Sequence, residues 1–366
     1  MKVQKIWIDE KGYYLYILLN DDYEIVKSVE KYIRFLENTG KAQNTIKTYC
    51  YNLKLFFEYL SQINKGEFEV KLEDLVEFIG WLRNPTEKVN VFSIVPHIAK
   101  RSESTVNLVI NTVLGFYSYM DRLGLYKGIN KVYSSYNGPK KYKDFLHHIN
   151  KSKSGIKNIL KLREQKKLIK TISKEEAKTL FDACKTKRDK LILMIMYEGG
   201  LRVGETLGLR HEDIITWDNK IKVVCRRNNI NEAYPKSRNE RVVDVSKQLM
   251  SLYTDYIINE YDENYESDYV FIKNKGVNCG EPLRYHSVLD LFGRLSKKTN
   301  IKITPHILRH SHATDLIRNG WDPSYVQKRL GHANVQTTLD TYLHLSNDDM
   351  KKKFSEYLEQ VGDLDE

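Results

Sequence analysis

Thr304-Pro305-His306-Ile307-Leu308-Arg309, then Asp322-Pro323, then Leu330-Gly331-His332, then Thr338-Leu339-Asp340-Thr341-Tyr342: the reading of this C-terminal stretch decides the fold. Thr304 and Asp322 each stand before a proline, the pattern of a capped helix start, and Gly331 supplies a stop. Two consecutive helices are therefore predicted. His306 and Arg309 lie three apart on the first, so both are expected on one face. Well upstream, Gly199-Gly200 breaks an apolar run, and Leu201-Arg202-Val203-Gly204-Glu205 opens a short helix with Val203 and Leu207 on its buried side. Together these segments carry two arginines, two histidines and a late tyrosine. Arginine offers a planar fork of donors matched to phosphate oxygens. Histidine moves a proton near neutral pH, and tyrosine can form a covalent intermediate. Such a set suits a phosphodiester cut by a protein hydroxyl without a metal.

Composition sets the frame. A chain of 366 residues makes two or three domains, each able to bury a core. The net charge of +11 favours an acidic partner, nucleic acid first; a bias towards Lys, Asn, Ile and Tyr weakens that inference. The four cysteines, Cys50, Cys184, Cys225 and Cys279, form no C-x-x-C pair, so neither a disulfide framework nor a thiolate zinc site is expected, and a cytoplasmic location is the default. No run reaches the apolar length of a membrane span, and the N-terminus lacks a signal-peptide pattern.

Residues 1–26 read as a hairpin, Val3–Ile8 and Tyr13–Leu18 around Asp9-Glu10-Lys11-Gly12, favoured as a structural cap over an accessory DNA-binding arm. From 27 to 126 the periodicity is helical. One helix carries Val29, Tyr32, Ile33 and Leu36. A second, capped by Asn44 or Thr45, carries Ile46, Tyr49, Leu53, Phe57 and Leu60. A third has Leu72, Leu75, Val76, Ile79 and Leu82, and a fourth starts near Ser104 and runs through Val106, Val109, Ile110, Val113, Phe116 and Tyr117. Lys41, Lys47, Lys54, Lys100 and Arg101 are the candidates for phosphate contact. Residues 127–171 form a basic linker, with eleven Lys or Arg against two acids between Lys140 and Lys170, part of it helical near 156–168.

The next domain, 172–346, opens on a capping box with Ser173 as N-cap and Glu176 three residues on. A helix through Ala177, Leu180 and Phe181 precedes a buried one at Leu191–Tyr197. Strands are predicted at Ile221–Cys225 and Arg241–Val245, with a polar loop between them, and helices return from Tyr285. The tail, 347–366, carries Met350, Phe354 and Leu358 on one face.

Thr45-Ile46-Lys47-Thr48-Tyr49 with Leu53–Leu60, Gly200–Arg210, His306–Arg309, Leu330-Gly331-His332 and Tyr342 resemble, in order and wording, the tyrosine recombinases, or phage integrase family, over roughly residues 27–346. The resemblance implies a mainly α fold with a small β-sheet: a helical core-binding domain that clamps DNA, plus a mixed α/β catalytic domain. It implies that Arg202 and Arg309 bind the scissile phosphate and that Glu205 orients a neighbour. Lys236, on the loop between the two strands, would protonate the 5′-oxygen, with Arg238 the competing candidate. His306 would handle the nucleophile's proton, and His332 would hydrogen-bond the phosphate. Tyr342, ten residues after His332 and one of 25 tyrosines, would be the nucleophile; Tyr325 is the nearest rival but precedes His332. The product would be a 3′-phosphotyrosyl link and a free 5′-hydroxyl.

No cofactor, ATP or metal is expected; His306 and His310 lie one turn apart, but no H-E-x-x-H zinc motif accompanies them. The implied partners are double-stranded DNA and further copies of the chain, four protomers on two duplexes, as in an integrase or transposase of a mobile element. The competing readings are a type IB-like topoisomerase, a non-catalytic DNA-binding protein on a decayed recombinase fold, and a metal-dependent nuclease.

Overall fold

The computed structural model describes residues 1–8, 13–84, 99–127, 133–135, 156–164, 170–226, 229–233, 240–262, 264–276, 278–331, 354–355 and 357–358. The chain divides into two compact units, Met1–Lys166 and Lys167–Glu366. It is mainly helical with small antiparallel sheets. Among the described residues no helix is long and apolar enough to cross a membrane.

The first unit begins with the predicted hairpin. Strands β1 (Lys2–Ile8) and β2 (Tyr13–Leu19) pair antiparallel, from Lys2 opposite Leu19 to Ile8 opposite Tyr13; the turn tetrad 9–12 lies outside the described residues. Tyr16 and Leu18 sink into the helical core, so the hairpin packs as part of this unit.

Four helices follow: α1 (Lys27–Asn38), α2 (Gln43–Gln62), α3 (Leu72–Arg83) and α4 (Glu103–Arg122). Val29, Tyr32, Ile33 and Leu36 are buried on α1, as their spacing demands. Helix α2 starts at Gln43 behind Ala42, with no side-chain cap, so Asn44 and Thr45 fall inside it rather than capping it. On α3 the buried face is Leu75, Phe78, Trp81 and Leu82, while Val76 is 53% exposed, a rotation from the expected face. The aromatics set that rotation. Phe78 meets Phe56 edge-on at 5.0 Å between centroids, and Phe56 meets Tyr117 at 5.8 Å, an arrangement favoured by opposed ring quadrupoles.

Polar ties fix the register of this greasy interior. Asn52 Nδ2 donates to Thr112 Oγ1 at 2.9 Å between α2 and α4. The Tyr117 and Tyr126 hydroxyls donate to the Glu67 and Val70 carbonyls, each at 2.9 Å, and hold the loop that enters α3.

The stretch predicted as partly helical after residue 156 is instead extended where described. Strand β3 (Tyr133–Ser135) pairs antiparallel with β4 (Ile156–Asn158), and Leu160 joins the core. Asn107, on α4, grips both backbone groups of Leu162: its Nδ2 donates to the carbonyl at 3.0 Å, and its Oδ1 accepts from the amide at 2.8 Å. A side-chain amide used this way substitutes for a strand partner, which an extended chain needs and a helix does not. Of the candidate phosphate contacts, Lys41, Lys47 and Lys100 are exposed. Lys54 pairs with Glu58, and Arg101 Nη1 donates to the Leu82 carbonyl.

The second unit opens at α5 (Lys174–Ala183), with the predicted capping box of Ser173 and Glu176. Helix α6 (Lys187–Glu198) runs through the core with Leu191, Ile192, Leu193, Ile195 and Met196 buried. After the short α7 (Val203–Leu207) comes a three-stranded antiparallel sheet in the order β5 (Ile214–Ile215), β6 (Lys220–Val223), β7 (Arg241–Asp244). Ile221 pairs with Val243, both fully buried. Helices α8 (Lys247–Glu260), α9 (Tyr285–Thr299), α10 (Pro305–Arg318) and α11 (Pro323–Leu330) complete the described fold. In the tail, Phe354 and Leu358 are exposed and Met350 lies outside the described residues.

Asn107→Ala is expected to speed amide exchange at Leu162 by about 10- to 100-fold, the equivalent of one or two buried hydrogen bonds. Exchange followed by mass spectrometry on the intact chain measures it.

Candidate active site

Gly199 and Gly200 end α6, and Gly200 adopts φ +62°, in the left-handed region. That turn sets Arg202 at the N-cap of α7, and Glu205 falls one turn inside. Glu205 was expected to orient a neighbour, but Val203 was expected to be buried; in the structure Val203 is half-buried and Glu205 points inward. The carboxylate is only 1% exposed.

Three guanidinium groups surround it. Arg202 Nη1 donates to Oε1 at 2.9 Å, and the Arg202 amide donates to Oε2 at 2.9 Å. Arg241, on β7, donates from Nη2 to Oε2 at 2.7 Å and from Nη1 to Oε1 at 3.2 Å. Arg309 Nη1, on α10, lies 3.9 Å from Oε2. Burial alone would raise the Glu205 carboxyl, but the bonds and charges of Arg241 and Arg202 outweigh it and hold the group below its ordinary value. Glu205 is thus an anion in a place where an unpaired anion would be prohibitive.

The same arginines cap the end of α11. Its last carbonyls have no partner within the helix, and they form its negative pole. Arg241 Nε donates to the Arg329 carbonyl at 2.7 Å. Arg309 Nη2 donates to the Leu330 carbonyl at 2.6 Å, and its Nη1 to the Gly200 carbonyl at 2.6 Å. Arg202 reaches the Leu330 and Gly331 carbonyls, each at 3.5 Å. Among the described residues, three guanidinium groups face this one carboxylate. Several of their remaining donors go to backbone carbonyls, the kind of acceptor a phosphate oxygen resembles in geometry.

A further pair stands behind the cluster. Arg329 Nε donates to His312 Nε2 at 3.0 Å, and its Nη2 donates to the Asp244 carbonyl at 2.8 Å and the Glu198 carbonyl at 3.2 Å. Burial, then the charges of Arg329 and Arg309, push the His312 ring down to about 3, so it stays neutral and can accept. Arg329 therefore stitches α11 to α10, to the end of α6 and to the end of β7.

Of the sequence-predicted residues, the structure brings Arg202 and Arg309 together. They share the Leu330 carbonyl as acceptor. His306 sits in the first turn of α10 and is exposed, whereas Arg309, three residues on along the same helix, is 5% exposed. Arg309 turns inward because Gly200 and Leu330 offer it two buried acceptors. The His306 and His310 rings lie 6.3 Å apart, and burial, then the His306 and Arg309 charges, lower the His310 value. Among the described residues no group of three or more His, Cys, Asp or Glu side chains could hold a metal. Lys236, Arg238, His332 and Tyr342 lie outside the described residues; Tyr325, on α11, is 61% exposed. Sequence reasoning missed Arg241, His312 and Arg329. The signal for Arg241 was the two-residue period of its strand, which puts it on the face of the buried Val243.

The family model described as Phage integrase family matches residues 170–349, and that of the phage integrase N-terminal SAM-like domain matches 29–123. Transposase A of transposon Tn554 from Staphylococcus aureus is 54% identical over 360 residues, 98% of this chain and 99% of that protein. Tyrosine recombinase XerA from Pyrococcus horikoshii is 28% identical over 317 residues, 86% of this chain and 89% of that one. Among solved structures, the Tn1549 transposon integrase in complex with transposon right end DNA shares the fold at a TM-score of 0.63 and 18% identity, covering 90% of this chain and 98% of that one. The XerH recombinase bound to its difH substrate shares it at 0.60 and 21%, over 90% and 84%.

Two outcomes test the cluster. A Cβ on Gly200 would fall 2.6 Å from His312 Cδ2 and 2.9 Å from Leu330 Cδ2; Gly200→Ala is expected to cost about 2–4 kcal/mol in urea denaturation, from left-handed strain and overpacking. Because His312 binds its proton less readily folded than unfolded, its contribution to stability is present above the ordinary histidine value of about 6.5 and is lost as pH falls towards about 3. Urea midpoints across that window are expected to fall with pH, and His312→Phe is expected to flatten the fall.

Proposed function

The chain belongs to the phage integrase family of tyrosine recombinases, and from that premise we propose that Arg202 and Arg309 grip the scissile phosphate while Tyr342 attacks it. The enzyme is a site-specific recombinase. The observation that carries the site reading is the convergence of three guanidinium groups, Arg202 and Arg309 among them, around Glu205 and the end of α11. Arg202 is 19% exposed, against 8% for Arg241 and 5% for Arg309, so it is the guanidinium most open to an incoming anion. Arg309 stands below it, and a phosphate oxygen would replace a carbonyl as its acceptor.

Tyr342 gives up its proton to His306 as its oxygen bonds to phosphorus. The bond to the 5′-oxygen breaks, and Lys236 protonates that leaving oxygen. The product is a 3′-phosphotyrosyl ester with a free 5′-hydroxyl. The hydroxyl of a partner strand then attacks the ester and restores a phosphodiester. Bond energy is conserved in the ester, so no ATP is consumed. Negative charge grows on the phosphate in each transition state, and preorganised guanidinium donors stabilise it without rearranging. His332, directly after Gly331 in the chain, adds a donor to the same phosphate.

The substrate is duplex DNA, in keeping with the DNA complexes of the structural neighbours and with the net charge of +11. Exchange between two duplexes needs four protomers. Likeness to a transposase along nearly the whole chain favours a role in moving a genetic element.

The test is a nicked suicide duplex carrying the recombination site from the ends of the element that encodes the chain, with EDTA present. A covalent protein–DNA band is expected, and Tyr342→Phe is expected to abolish it. Arg309→Ala is expected to slow its formation by about 100- to 1000-fold. A band that survives Tyr342→Phe would assign the nucleophile elsewhere, and a requirement for magnesium would overturn the mechanism.

A further inference from the structure

Arg241 opens β7 and carries no motif, yet all three nitrogens of its guanidinium are spent on the cluster. Nη1 and Nη2 fork across both oxygens of Glu205, at 3.2 and 2.7 Å, and Nε donates to the Arg329 carbonyl at 2.7 Å. A Cβ on Gly331 would lie 2.9 Å from Arg241 Nη1 and 3.3 Å from its Cζ, and Gly331 has φ +66°. The guanidinium thus lies against the left-handed turn that ends α11, in space that only a glycine leaves.

We propose that Arg241 is a positioning residue for Arg202, acting through Glu205. The end of α11 anchors Arg241. Arg241 then fixes the plane of the Glu205 carboxylate from one side, and Arg202 is held by that carboxylate from the other. Without Arg241 the one rigid donor left to the carboxylate is the Arg202 amide on Oε2, and the pair of Oε1 and the Arg202 side chain can swing about it. Arg241 is not assigned to the phosphate, because its Nη1 and Nη2 both donate to the Glu205 carboxylate, whereas those of Arg309 donate to carbonyls that a phosphate oxygen can replace. A lysine in its place would keep the charge and lose the fork. This inference rests on the reading of Arg202 as a phosphate ligand.

Among the described residues, the charged groups facing Glu205 are Arg202 at the start of α7, Arg241 from β7 and Arg309 from α10. Removing Arg241 withdraws the largest charge that opposes the effect of burial on Glu205. The carboxyl value must then rise, so the rate should fall more steeply with falling pH than the wild-type rate, whose own acid-side fall comes from His306. A purely structural loss would lower the rate by one factor at every pH.

The experiment uses the full chain and the nicked duplex described above. Single-turnover adduct formation is followed between about pH 5 and pH 8, alongside DNA binding by fluorescence anisotropy. Arg241→Met is expected to bind DNA like the wild type and to form adduct about 100-fold slower near neutrality, with an added acid-side fall. Arg241→Lys is expected to be slower by about 10-fold. Glu205→Gln is expected to show no such fall. On the Glu205→Gln background, Arg241→Met should cost less than about 3-fold, because the route it acts through is already cut. Wild-type rates in Arg241→Met, a slowing by the same factor at every pH, or a full loss on the Glu205→Gln background would each overturn the proposal. If Arg241→Met does not fold, Arg241→Lys and the double variant, which leaves no buried carboxylate without its partner, carry the same tests. Absence of adduct from the wild type would instead overturn the reading of the reaction itself, and this inference with it.

Discussion

A buried carboxylate ringed by three guanidinium groups is the interaction on which the second unit depends. Glu205 alone in that interior would not stay ionised, and the arginines alone would repel one another. Together they bind four elements to one point. Arg202 and Glu205 belong to the start of α7, Arg241 comes from β7 and Arg309 from α10. The spare donors of those arginines hold the end of α11. No apolar contact has this selectivity, because dispersion does not distinguish one neighbour from another. The charged node decides which helix ends meet.

The choice of acceptors also bears on function. Several donors of these guanidinium groups go to backbone carbonyls, which carry partial charge and no net charge. A phosphate oxygen offers the same geometry with a full charge. The arginine cluster can therefore be assembled before any anion arrives and still gain from binding one. Glycine makes the convergence possible at both ends. Gly200 and Gly331 hold left-handed turns whose missing Cβ atoms leave room for His312 and Arg241.

The first unit is organised by different forces. Its interior is aromatic, with Phe56, Phe78, Phe116 and Tyr117 meeting edge to face. Such an interior tolerates sliding, and the polar ties remove that freedom. Asn52 with Thr112, and Asn107 with Leu162, each demand one register. The hairpin joins this unit through Tyr16 and Leu18, which is the structural part its alternating apolar residues suggested.

The elements legible in the sequence were those whose residues obey a period: α1, α4, α6, the hairpin and the strand pair around Ile221 and Val243. Periodicity reports burial on one face, and burial is what made those elements. The proline starts at Pro305 and Pro323, and the glycine stop at Gly331, were equally plain because they act on local dihedrals. What the sequence could not show was which side of α3 the aromatics would claim, or that residues 156–158 would take a strand partner instead of helical bonds. Nor could it separate His306 from Arg309, which share a helix but not an environment. Arg241 showed only the two-residue period of its strand, and His312 and Arg329 had no local signature of their roles. Their roles rest on partners 17 to 131 residues away along the chain. Local sequence determined helices, turns and the kinds of side chain on offer. Only the tertiary fold decided which charges would meet, because the energy of a buried ion depends on every group around it and not on its neighbours in the chain.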